Sequence, residues 1–173
     1  MARALFVGRF QPFHKGHLEA VKRILGECEE VVIAVGSSQK SHEPENLFTV
    51  GERIEMVYES MKEAGLAGRC LVVGIPDIKY NALWAKHLGI LSPSFDKVYS
   101  NSPLVKQLFK EEGMKVKALP MFNRKELDGT HIRNLMLNGK AEWKRLLPPA
   151  AVKVAVRVKA EERLREICGG DKS

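Results

Sequence analysis

The sequence is short of several features that would define its class. Its 173 residues include three cysteines, which lie far apart and form no C-x-x-C pair. A disulfide framework is therefore excluded as the basis of the fold, and we predict three reduced thiols. The longest wholly apolar run covers residues 31–35, far below the roughly 20 residues that a membrane helix needs. The apolar stretch at 4–7 is too short for a secretory signal, so the sequence predicts a cytoplasmic protein.

Acidic side chains are fewer than basic ones. The chain has 28 Lys and Arg residues against 21 Asp and Glu residues, a formal net charge of +7. This excess favours the binding of phosphates or other acidic ligands, nucleic acid among them. Hydrophobic residues make up 45% of the chain and charged residues 28%. That balance suits a chain that buries one core, so we do not expect disorder.

Short β-rich runs alternate with helical patterns along the chain. Strands are predicted at residues 4–7, 31–35, 71–75, 97–100 and 115–119. Helices are predicted at 17–26, from near 51, 81, 103 and 129, at 142–147 and from 149 toward 167. The alternation predicts an α/β fold, with a doubly wound, Rossmann-like, five-stranded parallel sheet and helices on both faces. We expect one domain over 1–168, helical from about 140, and a frayed tail at 169–173.

Local signals mark where several of these helices start and stop. Thr49 is followed three residues later by Glu52, which is the pattern of a capping box. Ser102 and Pro103 are typical of an N-cap and a first helical residue. Gly113 is typical of a helix end.

The segment that says most about chemistry follows the first predicted strand. It reads Gly-Arg-Phe-Gln-Pro-Phe-His-Lys-Gly-His over residues 8–17 and leads into the first predicted helix. In a doubly wound sheet, this turn is where the phosphates of a nucleotide bind. His14 and His17 can face the same side of the helix start, and Gly16 lets a phosphate approach the backbone. Two side chains add positive charge to the segment: Arg9 and Lys15.

Other functions are open to His14 and His17. Zinc coordination needs a third or fourth ligand at suitable spacing, and no recognisable set lies nearby in the sequence. General acid–base catalysis remains an alternative. A purely structural role suits a lone histidine better than a pair placed with Arg, Lys and Gly at a strand-to-helix turn. We therefore favour phosphate binding.

Residues 9–17 resemble the H-x-G-H segment of archaeal-type nicotinamide-nucleotide adenylyltransferases, which belong to the H-x-G-H nucleotidyltransferase superfamily. Similarity to that family continues in the expected order at residues 36–42, 48–53, Asp77-Ile78, Asn81, Trp84, 99–101 and 103–105. The resemblance extends to about Pro149. The longer Gly-Arg-Phe-Gln-Pro-Phe-His form narrows the match within the superfamily.

A second phosphate motif of the family reads Ser-Gly-Thr-x-Ile/Val-Arg and is similar to residues 128–133. Asp128 stands where the family usually has serine. An acid can cap the following helix as serine would, but it adds negative charge near a polyphosphate, so we predict a capping role. Without the first motif, Gly129 to Arg133 would be read as an ordinary helix start with an exposed arginine.

The resemblance implies that ATP and nicotinamide mononucleotide (NMN) react to give NAD and pyrophosphate by direct in-line attack, a step of NAD biosynthesis. It implies that His14, His17 and Arg133 are catalytic, with His17 nearest the α-phosphate and Arg133 at the β- and γ-phosphates. The ATP-binding set that it implies is Gly8, Arg9, Phe10, His14, Gly16, His17, Gly129, Thr130 and Arg133. No metal site of the protein itself is implied. Mg²⁺ or another divalent cation would bind mainly through the substrate phosphates.

Binding of NMN would fall to Asp77, Asn81 and Trp84, with Arg53 at its phosphate. Tryptophan can stack on the nicotinamide ring, and asparagine can match the donor and acceptor of the carboxamide. Core packing is the alternative for Trp84. A solvated position early in an amphipathic helix is the alternative for Arg53.

The sequence leaves two other functions as alternatives. A basic nucleic-acid-binding module is suggested by Lys140, Lys144 and Arg145 near Trp143, but no RNA-recognition, KH or zinc-finger pattern accompanies them. We expect neither a nucleic-acid nor a membrane partner. A nearer alternative is an H-x-G-H adenylyltransferase for phosphopantetheine or flavin mononucleotide. The resemblance also implies a homo-oligomer, commonly a hexamer, whose interface could include Val152, Val154, Val156 and Val158.

Overall fold

A computed structural model describes residues 2–169. Its centre is a sheet of five parallel strands in the order β3-β2-β1-β4-β5. The strands are β1 (Arg3–Gly8), β2 (Glu30–Val35), β3 (Cys70–Gly74), β4 (Lys97–Tyr99) and β5 (Val116–Lys117). The first three strands extend the sheet in one direction from β1, and the last two extend it in the other. The strand order therefore reverses between β1 and β4, as in a doubly wound fold.

Helices cover both faces of this sheet. They are α1 (Lys15–Leu25), α2 (Val50–Glu63), α3 (Trp84–Leu91), α4 (Pro103–Glu111), α5 (Gly129–Leu137), α6 (Trp143–Leu146), α7 (Pro149–Arg157) and α8 (Ala160–Gly169). Short 3₁₀ turns precede β3 at Ala67–Arg69 and α3 at Asn81–Leu83. The doubly wound α/β fold predicted from the alternation of patterns is confirmed.

Two apolar cores lie on opposite sides of the sheet, because successive side chains of a strand point to opposite faces. Leu5 and Val98 pack with Leu88 of α3 and Phe109 of α4. The larger core includes Phe6, Ile33 and Tyr99 from the strands, with Met56, Ile132 and Leu164 from the helices. Burial of both strand faces explains the nearly continuous apolar runs of β1 and β2.

The predicted helix signals act as expected. The Thr49 hydroxyl accepts a hydrogen bond from the Glu52 amide, and the Glu52 carboxylate accepts one from the Thr49 amide. The Ser102 hydroxyl accepts from the amide of Val105, and Pro103 is the first residue of α4. These side chains satisfy amide groups that have no partner within the helix.

The C-terminal part differs from its predicted form. The single helix expected from 149 toward 167 is two helices, because Lys159 adopts a left-handed φ of 54° between α7 and α8. α7 packs on α2, whereas α8 packs on α5. The last strand is shorter than expected, with only Val116 and Lys117. The frayed tail was expected from Gly169, but Gly169 is helical and belongs to α8. The other residues of the predicted tail, 170–173, lie outside the described residues.

The four valines suggested for a subunit interface do not share one exposed surface. Val154 is buried, and Val152 and Val158 are partly buried against the larger core. Val156 is exposed. Alternate residues of a helix point in different directions, so three of the four valines serve the fold of their own chain.

Trp143, the aromatic residue beside the basic cluster at 140–145, is also a core residue. It is buried, and its indole N–H donates to a Glu161 carboxylate oxygen at 2.6 Å. It therefore presents no stacking face to a nucleic acid. Within residues 2–169, no helix combines the length and the apolar character needed to cross a membrane.

Candidate active site

Two cavities open at the carboxyl ends of β1 and β4. The histidine cavity, of about 320 Å³, is lined by His14 and His17, and the tryptophan cavity, of about 450 Å³, by Arg9 and Trp84. Four residues line both cavities: Val7, Gly8, Ser100 and Ser102. The cavities thus meet where the strand order reverses, which is where sheets of this kind bind ligands.

The two histidines form a stacked pair at the start of α1. Their ring centroids lie 3.5 Å apart, with 19° between the ring planes. The backbone N–H of His14 donates to Nδ1 of His17 at 3.1 Å. A ring nitrogen that accepts a hydrogen bond carries no proton, so the proton of neutral His17 is on Nε2. The fold therefore makes neutral His17 a hydrogen-bond donor through Nε2.

Both imidazoles favour the neutral form. Burial lowers the pKa of His14 to about 4, although the Asp128 carboxylate opposes this shift. Burial, and then the neighbouring His14, hold the pKa of His17 well below its usual value. His14 Nδ1 is buried and has no hydrogen-bond partner among residues 2–169. The pair thus offers an anion hydrogen-bond donors rather than full positive charges.

Phe10, Gly8 and Gly16 shape the turn around the pair. The buried Phe10 ring meets the His17 ring edge-on, with centroids 4.8 Å apart. A Cβ on Gly8 would lie 2.7 Å from that phenyl ring, and one on Gly16 would lie 3.1 Å from the His14 ring. Side chains at these two positions would displace the aromatic rings. Both glycines therefore allow the histidine pair to pack as it does.

Arg133 lies beneath this turn and lines neither cavity. Its guanidinium donates to the carbonyl oxygens of Gln11 at 2.7 Å and Pro44 at 2.9 Å, and to Thr130 Oγ1 at 3.4 Å. A guanidinium has five N–H groups, so two of them lack a partner among residues 2–169. Gly129 makes room for this contact, since a Cβ there would lie 3.1 Å from Arg133 Nη1.

Asp128 caps α5, as its place in the motif predicts. Its carboxylate accepts a hydrogen bond from the amide of His131 at 3.0 Å. Asp and Ser are comparable N-caps, so Asp128→Ser should change the free energy of unfolding by at most about 1 kcal/mol. We expect kcat to be retained, because His14 is neutral with or without this acid. Urea unfolding and steady-state kinetics test both parts, and a tenfold change in kcat would instead indicate action on the substrate or its metal.

Arg9 is an exposed cation on the wall of the tryptophan cavity. Within the described chain, no carboxylate lies within 4 Å of its guanidinium. Its charge contributes to lowering the pKa of Arg53 and of Arg133, after the larger effect of burial. Arg9 is therefore close to both buried arginines and is available to bind an anion.

The structure places Arg53 differently from its expected position at the substrate phosphate. The side chain is fully buried, and burial lowers its pKa to about 10, so it stays charged at neutral pH. Its Nη atoms donate to the carbonyl oxygens of Arg9, Gly36, Ser37 and Lys40, and its Nε donates to that of Thr49. All five N–H groups are thus directed at the main chain.

Asp77, Asn81 and Trp84 come together on the tryptophan cavity. The Asp77 carboxylate accepts hydrogen bonds from Ser37 Oγ and Gln39 Nε2, both at 3.0 Å, and so is tied to the loop after β2. Asn81 is exposed at the start of its 3₁₀ turn. Trp84 is half-buried and meets Phe109 edge-on at 6.2 Å. Trp84 therefore belongs both to the smaller core and to the cavity wall.

Several cavity residues were not identified from the sequence as site residues. Ser100 and Ser102 line both cavities, and Met121 and Arg124 line the histidine cavity. Asn101 pairs through its side-chain amide with the backbone of Leu119. The signal for the serines was their place after β4, since that strand borders the reversal in strand order. No sequence pattern marks residues 118–127 as part of the site. They lie beside the histidine cavity only because of the path that the loop takes in the folded protein.

Metal-binding side chains are not clustered in the part of the chain that the structure describes. Among residues 2–169, no group of three or more His, Cys, Asp or Glu side chains is placed to hold a metal ion. The residues present therefore do not form a resident divalent-cation site. A cation at this position would need ligands from a bound phosphate ligand.

Comparison with known proteins agrees with this architecture. Residues 5–135 match the family model described as cytidylyltransferase-like. The chain is 43% identical over 172 residues to the nicotinamide-nucleotide adenylyltransferase of Methanolobus tindarius, covering 99% of this chain and 98% of that protein. It is also 43% identical over 173 residues to the Saccharolobus solfataricus protein of the same name, covering 99% and 100%.

A solved structure of low sequence similarity shares the fold. The bifunctional NMN adenylyltransferase/ADP ribose pyrophosphatase of Francisella tularensis, solved with AMP and a manganese ion, superposes with a TM-score of 0.75 at 20% identity. The match covers 95% of this chain but 52% of that protein, so this chain spans about half its length. The resemblance of residues 9–17 to the adenylyltransferase segment thus extends to the whole chain, which belongs to the cytidylyltransferase-like family and, within it, to the nicotinamide-nucleotide adenylyltransferases.

Proposed function

We propose that the two cavities hold the two substrates of this family's reaction, ATP in the histidine cavity and NMN in the tryptophan cavity. The observation that supports this assignment is their junction at Gly8, Ser100 and Ser102. Two ligands that meet there bring an acceptor phosphate and an α-phosphate together. The products are NAD and pyrophosphate.

In this proposal, His17 donates from Nε2 to the α-phosphate and His14 contacts the same triphosphate. Neutral donors suit this position because the hydrogen bond is already oriented before the reaction, so little reorganisation accompanies the transition state. Gly8, Phe10 and Gly16 shape the turn that holds the pair. Gly129, Thr130 and Arg133 lie at the start of α5, where the helix dipole also favours an anion.

The reaction needs neither a general base nor a covalent intermediate. The acceptor is a phosphate monoester, whose second pKa of about 6 leaves it largely dianionic at neutral pH. One of its oxygens attacks the α-phosphorus of ATP in line with the leaving pyrophosphate. The protein must align the acceptor phosphate with the triphosphate of ATP, two anions that repel each other. Arg9, an exposed cation with no carboxylate nearby, is placed to reduce that repulsion.

A divalent cation would reach the site bound to ATP, since residues 2–169 offer no cluster of metal ligands. Manganese in the related Francisella tularensis structure supports a divalent ion, and Mg²⁺ is our proposal for this chain. Such an ion neutralises part of the triphosphate charge.

The reaction class and the acceptor can be tested together. The protein is incubated with ATP, Mg²⁺ and one acceptor at a time: NMN, nicotinic acid mononucleotide, phosphopantetheine or flavin mononucleotide. Pyrophosphate release is followed, and products are separated by chromatography. We expect release with NMN and formation of NAD. Release with phosphopantetheine or flavin mononucleotide, and none with NMN, would overturn the proposal.

Trp84 provides a test of the acceptor site. If its indole stacks on the nicotinamide ring, Trp84→Ala should raise the KM for NMN about tenfold, the effect of losing roughly 1.4 kcal/mol of aromatic contact. The KM for ATP should change by less than a factor of about three, and Trp84→Phe should recover part of the loss.

The matched control is Leu83→Ala, because Leu83 is exposed, adjacent in sequence and absent from both cavity walls. That variant should leave both KM values unchanged. Thermal unfolding of each variant shows whether the smaller core survives. A folded Trp84→Ala protein with an unchanged KM for NMN would assign the indole to core packing alone.

A further inference from the structure

We infer that Arg53 is a positioning residue which couples the two substrate cavities and touches neither substrate. Its guanidinium joins the turn between β1 and α1 to the loop that follows β2. The inference rests on the proposed function, because it concerns the relative placement of ATP and NMN.

The first support is the use of every N–H group of the side chain. Nη1 donates at 2.8 Å to the carbonyls of both Arg9 and Gly36. Nη2 donates to Ser37 at 3.0 Å and to Lys40 at 3.5 Å, and Nε donates to Thr49 at 3.3 Å. No donor is left for a phosphate. A direct contact with a phosphate would require breaking one of these hydrogen bonds of a guanidinium that is itself fully buried, which is costly.

The second support is what those carbonyls belong to. Arg9 lies in the turn that carries the histidine pair, and Gly36 and Ser37 line the tryptophan cavity. The same loop reaches Asp77 through the side chains of Ser37 and Gln39. One rigid, planar group therefore sets the distance between the turn beside the triphosphate and the loop beside the acceptor.

Arg133, the other buried arginine, differs from Arg53 in the number of N–H groups that lack a partner. Arg133 also joins the first turn to the loop after β2, through Gln11 and Pro44. It retains two N–H groups without partners among residues 2–169, whereas Arg53 retains none. Of the two buried arginines, only Arg133 can hold both the loops and a phosphate without giving up a contact.

The experiment separates substrate binding from turnover in Arg53→Met and Arg53→Lys. Dissociation constants for NMN alone and for MgATP alone are measured by calorimetry, since neither substrate reacts without the other. Steady-state kcat is measured on the same preparations. We expect both dissociation constants to stay within about threefold, while kcat falls about 100-fold in Arg53→Met, as a misplacement near 1 Å would cause. Arg53→Lys should lose about tenfold, because its three donors cannot meet five carbonyls.

Arg69→Met is the matched control. Arg69 also donates only to carbonyls, those of Leu25, Cys28 and Glu29, each at 2.8 Å. It lies directly before β3, at the amino end of that strand, whereas both cavities open at the carboxyl ends of the strands. Its loss should lower the melting temperature while kcat remains close to that of the original protein.

Two outcomes would overturn the inference. A tenfold or greater rise in the dissociation constant for NMN alone, with kcat retained, would make Arg53 a phosphate ligand. A kcat that remains as high as that of Arg69→Met would make it a purely structural arginine. If Arg53→Met fails to fold, Arg53→Lys gives the same distinction. Failure of the unaltered protein to make NAD would instead refute the proposed function, independently of either variant.

Discussion

His17→Ala should lower kcat by roughly 10²- to 10³-fold, the loss typical of removing one donor that stabilises transition-state charge. The expectation follows from the placement of Nε2, which the hydrogen bond at Nδ1 fixes as the protonated nitrogen. The fold should survive, because His17 is only half-buried and its neighbours Phe10 and Phe13 remain in the core. Thermal unfolding measures the stability of the variant, and initial rates of NAD formation measure its kcat.

A neutral donor and a charged one can be distinguished by the side chain that replaces His17. Glutamine carries an N–H donor at about the reach of Nε2 but no charge. We therefore expect His17→Gln to recover part of the activity that His17→Ala loses. Equal loss in the two variants would show that the imidazolium charge, rather than the hydrogen bond, is required.

The pH profile gives an independent check on the same residue. Burial, and then the neighbouring His14, hold the pKa of His17 well below 6.5, so the imidazole of the free protein is neutral at pH 7 and above. Because kcat/KM reports the ionisations of the free enzyme, we expect His17 to add no step to the pH profile of kcat/KM between pH 7 and 8. An increase in kcat/KM on acidification through that range, lost in His17→Gln, would contradict the neutral donor.

Much of the fold follows from local sequence. Thr49, Ser102 and Gly113 act through neighbours three residues away or fewer, or through their own backbone angles, so their patterns identify helix ends directly. The break at Lys159 has no such signal, because neither glycine nor proline stands there. It arises because α7 and α8 pack on different helices. The pairing of Arg163 with Glu52, 111 residues apart, is equally invisible to local patterns.

The contacts of the site residues also fall into those that local sequence predicts and those that it does not. His14 and His17 are three residues apart, so their pairing was predictable from helical geometry. The contacts of Arg53 and Arg133 were not, because their partners are main-chain carbonyls, which every residue possesses. A sequence pattern can place an arginine near a phosphate motif, but it cannot show whether its N–H groups are free. That distinction needed the folded loops.

Arg133→Ala should raise the KM for ATP by roughly 10- to 100-fold, the range expected from losing a hydrogen bond to a charged group, and should also lower the melting temperature. Both losses follow from the contacts of Arg133 and from its proposed role, because three N–H groups hold Gln11, Pro44 and Thr130 and two have no partner among residues 2–169. Arg133→Lys should recover only part of either property, since three donors on one nitrogen cannot replace a planar fork. The control is Arg163→Lys, because the guanidinium of Arg163 pairs with the Glu52 carboxylate and not with the turn that carries the histidine pair. It should reduce stability with little change in the KM for ATP. An unchanged KM for ATP in Arg133→Lys would exclude a forked contact with the triphosphate and leave Arg133 only its role in joining the loops.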